Sequence, residues 1–412
     1  MGTRTSRTLP YGTGGVVHIE TPADAVVADL TFPPGCPIAD PAAAVQRALA
    51  KPLEYPPLDQ ATVRGDRVAL AVDRGVPQVA EVVAGVVRAL VAGPVLPEDI
   101  TVVLAQGEGQ PRQCAPTSRL DAALAEAIPV VHHDPSDLQS LAYLAASRDN
   151  RPIYINRHLF DADVVLPVGC VLPDGALGYL GVHGCFFPTF SDEATQRRFR
   201  SPRAAESEVH RRRHRQEADE AAWLLGIQMV VQVVPGAGDT IFHVLAGQPS
   251  AVADQGQCLC EGAWLRQVPQ RASLVIVSIE GGQEAQTWDN FARALSTALE
   301  AVADDGVIVV CTDLRCRPGP ALRRLASLDD DAAVLRAIYR EREPDAVPAS
   351  LLVEARSRSQ VYLMSGLDEE TVEELGVGYV RGEEELRRLA RQHDSCILLA
   401  NAHRAVVTPP LE

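Results

Sequence analysis

Short apolar runs alternating with stretches that are apolar at every third or fourth position confine this chain of 412 residues to a small set of folds. Residues 68–72 are uninterruptedly apolar; after a polar turn, Val79, Val82, Val83, Val86 and Leu90 follow at the one-face spacing of a helix that Gly93-Pro94 stops. Residues 100–105, 130–131, 153–155 and 164–168 repeat the strand signal, with a helical stretch at 120–128. Strands buried on both faces and separated by helices pair in parallel through right-handed crossovers. The expected fold class is therefore α/β, with mainly parallel sheets flanked by helices.

A single hydrophobic core rarely organises this many residues, so two domains are expected. Residues 1–60, rich in proline and small residues, read as an extended lead-in with one or two strands. Strands at 229–234 and 240–245 and a helix at 251–265 close the first unit. A second begins near Pro269, with strands at 274–279, 307–311, 361–364 and 397–400 and helices between them. The predicted domains are 1–268 and 269–412, with the last strand a candidate to return to the first domain.

The net charge of −16 opposes binding to phosphate backbones or anionic lipid, so neither nucleic acid nor membrane is an expected partner. Residues 1–10 carry arginines with no apolar run behind them, and the nine cysteines lack a disulfide framework, which together predict a cytoplasmic protein. Arginine supplies almost all of the basic residues, notably through 197–215, where it either solvates a helix or binds an acidic partner. Lys51 is the only lysine, so a lysine-tethered cofactor has one possible anchor.

In open α/β sheets ligands collect where loops leave the carboxyl ends of strands. That rule brings Asp73-Arg74, 107–109, 169–190 and Gly281-Gly282 around one predicted interdomain cleft. Gly178, Gly181 and Gly184 fall three apart in the central segment, which lets backbone approach a ligand or simply builds a loop. His183 and Cys185 would share one face of an extended segment, as a metal or nucleophile pair, or else are a hydrogen-bonded histidine beside a packed cysteine. His210 and His214 have a zinc-like spacing but sit among arginines, which favours an exposed helix face. Cys258 with Cys260, and Cys311 with Cys316, lack zinc spacing and read as core residues. No GxSxG, HExxH or P-loop sequence occurs.

Residues 151–157, then 161–169, then the glycine loop between Pro173 and Pro188, resemble the lactate racemase family. The likeness extends to Arg74-Gly75-Val76-Pro77, Ala246-Gly247 and Gly281-Gly282. It implies a lactate racemase-like two-domain fold and a nickel-pincer nucleotide held by a lysine in the glycine loop, its nickel also bound by a histidine. Two further histidines would exchange the hydroxyl proton of a 2-hydroxy acid while the cofactor carries hydride. Position by position, the family's DxTRxxP motif keeps Arg74 and Pro77, with Ala71 and Asp73 in place of its aspartate and threonine. Its GxHR motif becomes Gly107-Glu108-Gly109-Gln110, and its PH becomes Pro173-Asp174. The lysine falls on Gly184, the nickel histidine near Arg200, and the substrate-side glutamine and lysine near Asn290 and Arg293.

Two functions follow from that resemblance. One is a divergent 2-hydroxy acid racemase or epimerase, an isomerase, with Asp174, His183 and Glu108 as catalytic groups and His183 with Cys185 as a replacement metal pair. Asp73, Arg74, Gly178, Gly181 and Gly184 would line the cofactor position, and Asn290 and Arg293 would bind a small anion between the domains. The other is a noncatalytic binding or scaffold relative that has lost the cofactor.

Overall fold

The computed structural model describes residues 4–22, 25–105, 115–202, 207–326, 331–341 and 343–408. β1 (Arg4–Tyr11) and β2 (Gly15–Pro22) form an antiparallel hairpin, and β3 (Val26–Leu30) follows. The first large sheet begins with β4 (Val68–Val72), β5 (Ile100–Leu104) and β6 (Val130–His132). β7 (Leu141–Ala146) and β8 (Pro152–Asn156) leave it as a separate antiparallel hairpin. β9 (Val164–Cys170), β10 (Val230–Pro235) and β11 (Ile241–Gly247) complete six strands in the order β11-β10-β9-β4-β5-β6, parallel except for β11. Every residue of β4 and β10 is buried, which accounts for their unbroken apolar sequences apart from Gln232.

β12 (Leu265–Gln267) precedes the second sheet, built from β13 (Ala272–Ser278), β14 (Val302–Cys311), β15 (Gln360–Met364), β16 (Gly378–Tyr379) and β17 (Cys396–Leu399). β18 (Val406–Thr408) turns back to pair with β12. The second sheet runs β16-β15-β14-β13-β17-β3, all parallel, so its edge strand comes from the start of the chain.

The sequence reading needs three corrections here. The lead-in is not merely extended: it holds the helix Pro41–Ala50, whose Asp40 cap accepts from the Ala43 amide at 2.9 Å. β3 joins the second sheet and the β1-β2 hairpin packs on it, with Leu9, Val17 and Ile19 buried against Leu274, Ile276 and Leu398, whereas 397–400 stays inside that sheet. The 153–155 strand pairs only with β7, outside the main sheet.

The two sheets are not separated by an open gap. Phe242, Cys260 and Trp264 share one buried cluster with Val275, Phe291 and Leu295 of the second unit, and the helix Pro249–Trp264 lies between them. Trp264 also donates its indole N–H to the Pro235 carbonyl at 2.8 Å. Among the described residues no helix is long and apolar enough to cross a membrane.

Candidate functional site at the junction of the sheets

Each sheet has one place where strand order reverses: between β4 and β9 in the first, and between β13 and β17 in the second. Chains leaving the carboxyl ends of two such neighbours diverge to opposite faces and leave a crevice for a ligand. Asp73, Arg74 and Cys170 stand at the first of these points, and Glu280, Asn401, His403 and Arg404 at the second. The Asn401 side chain joins the two units, accepting from the Gly238 amide at 3.0 Å and donating to Glu280 at 2.8 Å. Arg404 donates to the Gly236 carbonyl across the same junction.

The charged groups here are strongly perturbed. Burial raises the Asp73 carboxyl to about 6, against the opposing pull of Arg74, of the Arg74 amide that donates to it at 2.7 Å, and of Arg293 and Arg200. Burial likewise pushes the Cys170 thiol up to about 12, and nearby Asp73 disfavours the thiolate further. Arg293 reaches this group from the helix Trp288–Ala301, and its Nε donates to the Leu177 carbonyl of the glycine loop at 3.2 Å. Burial lowers the Arg293 and Arg404 pKa values, yet a guanidinium stays charged at neutral pH. Among the described residues the Arg74 guanidinium has no hydrogen-bond or ion-pair partner at short range.

His403 is 5% exposed, and neither of its ring nitrogens has a hydrogen-bond partner among the described residues. Burial, then Arg404 and Arg293, hold its pKa well below the ordinary histidine value, so the ring is neutral. A buried polar group without a partner costs about 1–3 kcal/mol. Its segment is nonetheless held firmly: the Thr297 hydroxyl lies 3.0 and 2.8 Å from the Ala402 and Ala405 carbonyls.

The sequence-predicted residues divide between this junction and elsewhere. Asp73, Arg74 and Arg293 meet here. Asp174 instead pairs with Arg215 at 2.8 Å and His183 with Asp219 at 2.7 Å, both partners lying one turn apart on the helix Glu208–Leu225. Asn290 donates to the Ala285 carbonyl at 2.9 Å within the turn that enters its helix. Glu108 lies outside the described residues. The segment 182–185 is a 3₁₀ turn rather than extended, so His183 faces that helix while Cys185 turns inward to Val182 and Gln232. The two do not form a metal pair, and the described residues contain no cluster of three or more metal-ligating side chains. Gly178 and Gly181 have φ of +74° and +79°, conformations in which a side chain would be strained, and Gly178 lies beside Arg293. Cys258 and Cys316 are exposed, contrary to the core reading, while Cys260 and Cys311 are buried. His214 is not on an open face either: it stacks on Phe199 at 4.1 Å, whereas His210 is exposed.

Cys170, His403 and Arg404 were missed. The signal was available, because 401–404 follows directly on a predicted strand and obeys the rule that selected Asp73.

These residues do not fit a lysine-tethered nickel cofactor. Gly184 bears no side chain, and a Cβ built there would meet the Leu180 Cβ at 3.0 Å. Lys51 ends the helix Pro41–Ala50 two residues before Leu53, whose amide donates to Ala246 of the edge strand β11, three strands across the sheet from β4 and Asp73. Arg200 cannot ligate nickel while its guanidinium is protonated.

Two mainly parallel sheets meeting at their switch points, with ionised groups contributed from both sides, define an α/β protein with a candidate site at the junction of the sheets. Residues 11–201 match the family described as the lactate racemase N-terminal domain. The fold is similar to that of the lactate racemase apoprotein from Thermoanaerobacterium thermosaccharolyticum, with a TM-score of 0.79 and 17% identity over 98% of this chain and 100% of that one. A protein from Thermotoga maritima aligns at a TM-score of 0.67 and 12% identity, over 90% and 99% of the two chains. Comparison with curated protein sequences gives no match.

Proposed function

We propose that the protein binds a small organic anion at the junction of its two sheets, with Arg74 and Arg293 as the counter-charges, and does so without nickel-pincer chemistry. The observation that carries this reading is the convergence of Arg74 and Arg293 on one desolvated carboxyl, Asp73, which can offset at most one of their two charges. The relationship to a lactate racemase suggests a 2-hydroxy acid or related carboxylate as the ligand. The free state of the described cysteines supports a reducing, cytoplasmic setting.

Calorimetric titration with D- and L-lactate, beside a chiral assay and nickel analysis of the purified protein, tests the reading. Binding without interconversion and without stoichiometric nickel is expected; stoichiometric nickel or racemisation that requires it would sink it. A second reading, a divergent racemase or epimerase of 2-hydroxy acids, is favoured by the same carboxyl, since a group raised to about 6 suits proton transfer near neutral pH. Racemisation without nickel that Asp73→Asn abolishes would establish it.

A further inference from the structure

We propose that His403 is a ligand-contacting residue of the junction, hydrogen-bonded to the oxygen on the 2-carbon of an anion whose carboxylate Arg293 holds. This deepens the anion-binding reading and rests on it.

Three independent observations point to His403. Its ring is buried to 5% exposure with both nitrogens unpartnered, in a protein whose other buried histidine, His133, uses both: Nε2 lies 2.9 Å from the Ser191 carbonyl and Nδ1 3.2 Å from the Asn156 amide. Looseness does not explain this, because Ala402 and Ala405 around it are both held by the Thr297 hydroxyl, and Asn401 and Arg404 by the turn at Gly236 and Gly238. The position is the carboxyl end of the switch-point strand β17, where a ligand is expected on topological grounds.

The neighbours define what the ring would meet. Arg293 precedes Thr297 by one helical turn, so the face that pins the 402–405 segment also carries the guanidinium beside His403. Arg404, the next residue, also acts on the ring but is already committed to Gly236. The groups acting on the ring are thus cationic, and a neutral imidazole fits among them. A neutral imidazole is donor at one nitrogen and acceptor at the other. It serves a 2-hydroxyl by accepting or a 2-keto oxygen by donating, and it has nothing to offer an unsubstituted carboxylic acid. A site that buries a polar group for one ligand oxygen discriminates strongly against the analogue lacking it.

The test compares the full-length wild type with His403→Leu and His403→Gln, titrated with lactate, pyruvate and propionate, with the melting temperature recorded for each protein. Wild type should bind lactate or pyruvate about tenfold or more tightly than propionate. His403→Leu should erase that preference, leave propionate affinity within about twofold, and not lower the melting temperature, since an unpartnered ring gives the fold no hydrogen bond. His403→Gln, which keeps a donor and an acceptor, should retain part of the preference. Equal binding of lactate and propionate by wild type would overturn the role of His403 and leave the anion site standing. Persistence of the preference in His403→Leu, or a clear loss of its thermal stability, would also overturn it. If none of the acids binds wild type, the anion-binding reading falls and the role of His403 with it.

Discussion

Asp73 and Arg293 are contributed by different sheets yet lie within electrostatic reach of one another, the first at the end of β4 and the second on the helix Trp288–Ala301 that follows β13. Each lowers the cost of burying the other, and Arg74 acts on the same carboxyl more strongly still. Their meeting ties the proposed site to both halves of the chain.

The Asp73 carboxyl makes stability fall with rising pH. Its folded pKa, about 6, lies above the ordinary aspartate value of 3.8, so between these values the folded protein holds a proton that the unfolded chain has released. The resulting stabilisation is complete at low pH and lost as pH rises through about 6. Asp73→Asn should therefore match wild type near pH 4 and exceed it by on the order of 2 kcal/mol at pH 8. Melting curves across that range check this; an unchanged difference at both ends would refute it.

Anion affinity should rise over the same interval as pH falls. Protonating Asp73 removes a negative charge that acts on both Arg74 and Arg293, so lactate should bind about tenfold more tightly at pH 5 than at pH 7.5. Asp73→Asn should bind at both pH values as wild type does at pH 5. Calorimetry at constant ionic strength decides it.

Removing either counter-charge should be costly. Arg293→Gln or Arg74→Gln is expected to weaken lactate and propionate alike by tenfold or more, since a charge-assisted hydrogen bond contributes about 1.5–3 kcal/mol. Arg293→Gln also loses the bond to Leu177, so protection of the 175–181 backbone from hydrogen exchange should fall in that variant alone.

His183 and Asp174 are expected to hold the glycine loop to the helix Glu208–Leu225 rather than to touch ligand. His183→Gln and Asp174→Asn should leave lactate affinity within about twofold. A double-mutant cycle for His183 and Asp219 should give a coupling of about 0.5–1 kcal/mol, and less for the more exposed Asp174 and Arg215 pair. A hundredfold loss of affinity in either single variant would return these residues to the site.

Leu9 is fully buried beneath the second sheet. Leu9→Ala should cost about 2–5 kcal/mol, the range for truncating a core leucine, although the residue lies some 260 positions from the strands it covers. Chemical denaturation measures it.

Much of the sheet framework was legible because strands buried on both faces have no choice but to be apolar: 68–72, 100–104, 164–168 and 230–234 each read directly. Pairing was not legible. The 153–155 segment looks like its neighbours but finds β7, and β3 finds β17 from the other end of the chain, because partner choice depends on what the folded core leaves uncovered. The side chains of His183 and Cys185 diverge because a 3₁₀ turn, not an extended strand, carries them, and glycine-rich sequence permits both conformations.

The sequence by itself determined the α/β class, the family likeness, and the loss of a lysine and histidine where a tethered nickel cofactor would need them; these depend only on local pattern and on residue identity. Tertiary structure alone decided that Asp73, Arg74, Arg293 and His403 share one junction, that residues 26–30 complete the second sheet, and that Asp174 and His183 face a helix. The physical reason is that burial and charge act through space: desolvation raises Asp73 to about 6 against the opposing pull of arginines up to 220 residues away, and a linear pattern carries no record of that distance.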